Sequence, residues 1–238
     1  MCTVTFLPLT GNDFIFTSSR DIPYDREKAA PPEHYVEAGV ALTYPKDGKA
    51  GGTWIGTSEQ ERLVCLLNGG FVHHVSLASY RKSRGLIVKE LLKTTEILSG
   101  VEAIDLCGVE QFTLVIVDWS NGLKLYELVW DGTTKHMTPL PLEARIWSSS
   151  TLYEPKVKQL RAEWFNAWQA EHSTTAAEML AFHHTAGIGD PHIDVMMDRV
   201  KGGTVSISCI EKSDTQLRFW YEDVTNGQKT QLIYTQPQ

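Results

Sequence analysis

Cys2 is the residue whose position gives it chemistry. Its side chain is small, so Met1 can be removed by a methionine aminopeptidase. The new terminus would carry a thiol and a free α-amine on one residue. An α-amine titrates at about 7.7 to 8, so it can act as a base near neutral pH. The nucleophile and its proton acceptor would then belong to the same residue. A retained Met1 would block this chemistry.

Two further groups could serve such a terminus. Arg20 and Asp21 end a strand-like run that follows the turn Thr10-Gly11-Asn12-Asp13. An antiparallel return would bring them back beside the N-terminus. A guanidinium there favours thiolate, and a carboxylate holds or orients the amine. The ordinary alternative is a surface Arg-Asp pair, which is worth little. Asn68 and Gly69 follow the apolar run Arg62 to Leu67. A side-chain amide and a backbone N–H suit a developing oxyanion, although Asn-Gly is also simple turn chemistry.

Other residues read as structural. Cys65, Cys107 and Cys209 lie in apolar runs and read as buried free thiols. No CxxC or CxxH pair points to zinc. His73-His74 and His183-His184 are adjacent pairs, which do not share a face. A gathering of His183, His184 and His192 is the one metal arrangement the spacing leaves open. Trp164, Phe165 and Trp168 fall at helical spacing and read as core. The expectation is no metal and no cofactor.

The chain has 238 residues, 42% hydrophobic and 21% charged, with net charge -7. This is globular composition, read here as a single domain over residues 1–238. The mild acidity argues against nucleic acid as a partner. The basic run Arg81-Lys82-Ser83-Arg84 reads as solvated surface. No stretch approaches the ~20 apolar residues of a membrane span. The first residues lack the features of a secretory signal, so a cytoplasmic protein is expected.

The elements that must position these residues are strands first. Thr3 to Leu7 alternates like a half-buried strand, and Phe14 to Ser18 returns. Residues 22 to 35, rich in Pro and charge, read as irregular loop. Strands follow at 53–56 and 62–67, and a helix at 85–99 capped by Gly100. A hairpin over 112–130 turns at Ser120-Asn121-Gly122. A long helix starts at Glu154-Pro155. A shorter one is capped by Thr175 with Glu178. Strands return at 204–208, 216–221 and 230–234. Strands, helix, strands, helices, strands is not βαβ alternation, so an α+β fold with largely antiparallel sheets is expected.

These pieces together resemble the NRDE family, also called transport and Golgi organisation 2-like. The matching residues are Met1 to Phe6, Ser19-Arg20-Asp21, Gly51-Gly52-Thr53-Trp54-Ile55-Gly56, Leu67-Asn68, and Ser148 to Leu152 ahead of Pro155-Lys156-Val157. The resemblance implies an N-terminal-nucleophile hydrolase-like fold, a four-layer αββα sandwich. It implies Cys2 as nucleophile, Arg20 and Asp21 as its flanking residues, and Asn68 with Gly69 at the oxyanion position. Trp54 stands in the pocket or packs between sheet and loop. Ser149 and Arg199 are further pocket candidates.

The chain also departs from the family. It has Ser19-Arg20-Asp21-Ile22 where the name motif is Asn-Arg-Asp-Glu. Ser148-Ser149-Ser150 offers no Asn, and Gly203-Thr204-Val205 stands where Gly-Thr-Arg is expected. Arg199 is the nearest cation. These losses point to a divergent substrate or a weakened site.

Three functions follow. The first is a cysteine hydrolase of a non-peptide C–N amide bond in a small molecule. The second is a non-catalytic trafficking or ligand-binding protein for haem, lipid or acyl-CoA. The third is a glutaminase-like ammonia donor with a separate synthase partner.

Overall fold

The computed structural model describes residues 3–235. The chain forms two compact units. One holds the residues up to Arg26 and those from Glu143 onward; the other spans Glu27–Leu142.

The first unit opens with β1 (Thr3–Pro8) and β2 (Phe14–Pro23), paired antiparallel as the turn chemistry predicts. Gly11 sits in the turn at φ 66, where a Cβ would add strain. The chain then crosses to the second unit. It returns at Glu143 to give β10 (Arg145–Ser148), α3 (Pro155–Glu171), α4 (Ala176–Thr185), β11 (Asp198–Arg199), β12 (Gly202–Ser213), β13 (Gln216–Asp223) and β14 (Gln228–Thr235). The strand order is β10-β1-β2-β12-β13-β14, with β11 also on β12. All these pairings are antiparallel.

Helices α3 and α4 cover one face of this sheet. Phe165, Met179 and Phe182 pack with Leu7, Ile15 and Cys209. Trp164 and Trp168 border the same core, as the helical spacing predicts. The Thr175 cap is also as expected: its hydroxyl accepts from the Glu178 N–H at 3.2 Å.

The β1 expectation needs correction. The alternation Thr-Val-Thr-Phe suggests one wet face, yet Thr3, Val4, Thr5 and Phe6 are all buried. Polar partners from the helices satisfy the threonines, so both faces lie inside.

The second unit holds β3 (Ala30–Glu37), β4 (Val40–Lys46), β5 (Ile55–Ser58), β6 (Arg62–Asn68), α1 (Arg84–Lys93), α2 (Ile97–Ala103), β7 (Phe112–Asp118), β8 (Lys124–Trp130) and β9 (Lys135–Leu140). The strands follow one another in chain order as an antiparallel meander. The run expected as loop contains β3. Its prolines are tolerated because β3 is an edge strand, and its pairing with β4 shifts register between Ala30 and Pro32.

The helix expected over 85–99 is two helices. Buried Arg62 explains the break. Its guanidinium pairs with Asp118 at 2.8 Å and donates to the carbonyls of Leu91 (3.2 Å), Thr94 (2.6 Å) and Thr95 (3.3 Å). The end of α1 is thereby capped by a side chain from β6. Gly100 lies inside α2 instead of ending a helix.

The segment Gly51-Gly52-Thr53-Trp54 also has a packing reason. Gly51 adopts φ 64. A Cβ on Gly52 would stand 2.6 Å from the backbone of Gly85, at the start of α1. Thr53 N–H donates to the Gly85 carbonyl at 3.1 Å. One more expectation changes. Cys107 is exposed, because the residues after α2 run over the surface as a turn. The basic run lies at the surface as expected, with Arg81, Lys82 and Arg84 paired with Asp105, Glu90 and Glu110. Among the described residues, no helix is long and apolar enough to cross a membrane.

Candidate active site

Cys2 lies outside the described residues, so the site is built from what surrounds the start of β1. Strand β2 is interior to its sheet, between β1 and β12. Thr3 faces Ser19, Asp21 faces Thr204 and Arg20 faces Ser206. The register shifts between Thr204 and Ser206, a bulge beside the Arg20-Asp21 pair.

Arg20 and Asp21 are 4% and 1% exposed, so they are no surface ion pair. Strand alternation sends them to opposite faces. Asp21 shares the helix-covered face with Ser19. Its Oδ1 accepts from Thr204 Oγ1 at 2.6 Å, and its Oδ2 from the Tyr153 hydroxyl at 3.2 Å. Arg20 shares the other face with Ser18, Ser206 and Tyr221. Burial raises the Tyr221 phenol above its ordinary value, and the charge of Arg20 opposes that rise.

Behind Ser19 stands His183, on α4 and fully buried. Its Nδ1 is 2.7 Å from Ser19 Oγ and its Nε2 is 3.0 Å from Thr5 Oγ1. Burial, and then repulsion from Arg161 and His184, pushes its pKa down to about 3. The ring is therefore neutral, with one nitrogen donating and the other accepting. His184 instead meets Glu222 at 3.0 Å. The open His183–His184–His192 arrangement is thus not formed. Among the described residues, no three His, Cys, Asp or Glu side chains gather as metal ligands.

Ser149 and Arg199 lie in the same unit. Ser149 is buried, and its carbonyl accepts from the Tyr153 N–H at 3.2 Å. Arg199 donates twice to the His192 carbonyl, at 2.7 and 3.2 Å, and its guanidinium lies 5.4 Å from the Tyr153 ring centre. Both candidates thus border the tyrosine that holds Asp21.

The remaining candidates belong to the second unit. Asn68 ends β6 and is half-buried. Gly69 follows at φ 87, and its N–H donates to the Gln111 carbonyl at 3.2 Å. That N–H is already engaged here. Trp54 is 3% exposed, just before β5.

Sequence order marks neither Tyr153 nor Arg161, and it marks His183 only as a candidate metal ligand and not as a support of Ser19. Tyr153 follows the Ser148–Leu152 motif directly, which is a positional hint. His183 and Arg161 carry no such signal.

Two antiparallel sheets, each with its own pair of helices, define the fold class. The fold is that of the N-terminal-nucleophile hydrolases. It is similar to the C2A variant of conjugated bile acid hydrolase from Clostridium perfringens, with TM-score 0.61 and 10% identity over 100% of this chain and 97% of that one. Penicillin V acylase from Agrobacterium tumefaciens gives TM-score 0.58 and 12% identity, covering 97% and 86%. The Caenorhabditis elegans ortholog of N-acylethanolamine-hydrolyzing acid amidase gives 0.59 and 12%, covering 88% and 92%. No curated protein sequence matches. Residues 1–217 match the family described as Transport and Golgi organisation 2, and the chain belongs to that family.

Proposed function

We propose that this protein is an N-terminal cysteine hydrolase of a non-peptide C–N amide bond in a small molecule. The observation that carries the reading is the buried Asp21 carboxylate, fixed by Tyr153 and Thr204 in the strand beside β1. The fold it shares with proteins named as amide hydrolases and acylases supports the same reaction class.

In this reading Met1 is removed and the Cys2 thiol attacks the amide carbonyl. The Cys2 α-amine takes the thiol proton and passes it to the leaving amine as the C–N bond breaks. Arg20 favours the thiolate and Asp21 holds the ammonium form. Asn68 donates to the oxyanion. Gly69 adds a second donor if its N–H leaves Gln111. Water then attacks the thioester and releases the acid, restoring the thiol. The reading includes a cytoplasmic setting, in which an exposed thiol such as Cys107 stays reduced.

A second reading, binding of haem, lipid or acyl-CoA without turnover, is favoured by the engaged Gly69 N–H and by Ser148-Ser149-Ser150 offering no Asn. One set of measurements separates the two. Intact mass establishes whether Met1 is gone. Amine release is then followed with conjugated bile acids, N-acylethanolamines and penicillin V. Turnover abolished in Cys2→Ala supports the hydrolase. Full activity in Cys2→Ala, or active protein that still carries Met1, overturns it. Micromolar binding of haem or acyl-CoA with no amine release moves the conclusion to the second reading.

A further inference from the structure

Arg161 lies within α3 and has no exposed surface. A buried guanidinium usually faces a carboxylate. Among the described residues, none forms an ion pair with this one. Its N–H groups go to neutral acceptors: Nη1 to the Thr3 hydroxyl, Nε to the Ile193 carbonyl at 3.0 Å, and Nη2 to the Asp194 carbonyl. Its guanidinium carbon lies 3.7 Å from the centre of the Tyr153 ring, a desolvated cation–π contact. The hydroxyl of that ring donates to Asp21.

The placement joins three things. Thr3 is the residue next to Cys2. Tyr153 and Thr204 both donate hydroxyls to Asp21. The Ile193-Asp194 carbonyls lie shortly before Met197, whose N–H donates to the other donor, Thr204, at 3.0 Å. A leucine at position 161 would avoid the buried charge but would leave the space of the guanidinium, and the acceptors it meets, empty. A cation here instead bonds the start of β1 and stacks on the tyrosine that donates to Asp21.

We propose that Arg161 is a positioning residue for the N-terminal nucleophile, fixing Thr3 directly and Asp21 through the Tyr153 ring. The proposal rests on the hydrolase reading of this site. Arg161 touches neither thiol nor substrate in this role. It acts by holding the strand start and the carboxylate in register, and by keeping a positive charge beneath them.

The test is the pH profile of Cys2 alkylation by iodoacetamide, resolved by peptide mass, with Cys107 as internal reference. Tyr153→Phe removes one oxygen and leaves the Asp21 charge less compensated. Arg161→Leu removes the cation. Both changes disfavour thiolate, so the Cys2 midpoint rises by about half a pH unit or more while that of Cys107 stays in place. Arg161→Lys keeps the charge and recovers part of the shift. Midpoints within about 0.2 unit of the parent in Tyr153→Phe and Arg161→Lys, with the fold intact by circular dichroism, overturn the proposal. If Arg161→Leu fails to fold, those two variants decide the question.

Failure of the hydrolase reading is seen separately, as retained Met1 or a Cys2 inert at every pH in the parent protein. Hydrogen exchange then decides the positioning claim. Exchange about tenfold faster at residues 3–6 and 19–22 in Arg161→Lys supports it, and unchanged exchange overturns it.

Discussion

The imidazole Nδ1 of His183 lies 2.7 Å from the hydroxyl of Ser19, so a ring from α4 is bonded to the residue directly before Arg20. Because burial holds the ring neutral down to about pH 3, below the ordinary 6.5, its protonation is linked to unfolding. The unfolded chain binds this proton more readily. The stability from keeping His183 neutral is complete above 6.5 and is lost as pH falls from there toward 3. The loss approaches ~1.4 kcal/mol per pH unit. His183→Gln keeps one donor and one acceptor but does not titrate. Urea unfolding at pH 7, 6, 5 and 4 should therefore fall less steeply in that variant. Equal slopes would show that His183 does not carry the effect.

Asp21 accepts from two hydroxyls, and Asn in its place presents an N–H₂ to one of them. One buried donor is left unsatisfied, at a cost of about 1–3 kcal/mol. Asp21→Asn should lower the thermal midpoint and, by removing a negative charge beside the start of β1, also move the pH midpoint of Cys2 alkylation downward. A stable variant with unaltered Cys2 reactivity would remove Asp21 from the site.

Adjacent glycines give a paired contrast. On Gly52 a methyl group would meet the Gly85 backbone at 2.6 Å, whereas on Gly51 it meets nothing within 4 Å. Gly51→Ala costs about 1 kcal/mol from its left-handed φ alone. Gly52→Ala forces α1 away from the segment and costs about 1–3 kcal/mol. Chemical denaturation that ranks Gly51→Ala as the worse of the two would contradict the packing of α1.

The described cysteines should separate by labelling. Cys107 is exposed, and Cys65 and Cys209 are buried. Burial pushes the Cys209 thiol up to about 12. Maleimide in native buffer should label Cys107 within minutes and Cys209 only after unfolding. Rapid native labelling of Cys209 would mean that the α3–α4 cover opens easily.

What the sequence made legible follows the range of each interaction. Helices α3 and α4 are visible from local signals: Pro155, the Thr175 cap and the Phe165–Trp168 stripe. The β1–β2 hairpin is visible in its turn. Prolines hid β3, because an edge strand obeys looser rules than an interior one. The break after α1 was hidden because its cause, Arg62, comes from another element. Arg20 and Asp21 could be marked by position, but not their burial or their opposite faces. The groups that hold them have partners far away: Tyr153 lies 132 residues from Asp21, Arg161 158 from Thr3 and His183 164 from Ser19. Periodicity and capping carry no information at that distance.

Strand β2 is hydrogen-bonded to β1 on one side and to β12 (Gly202–Ser213) on the other, while the outer edge of β1 is closed by β10 (Arg145–Ser148). On the ribosome these partners emerge long after the hairpin. The hairpin bearing Arg20 and Asp21 leaves the exit tunnel early and waits with both edges bare for more than half the chain to be translated. Long-range pairing of this kind folds slowly and leaves unpaired strands open to wrong associations. The arrangement that buries Arg20 and Asp21 thus leaves these two strands open to wrong pairing for as long as that translation lasts.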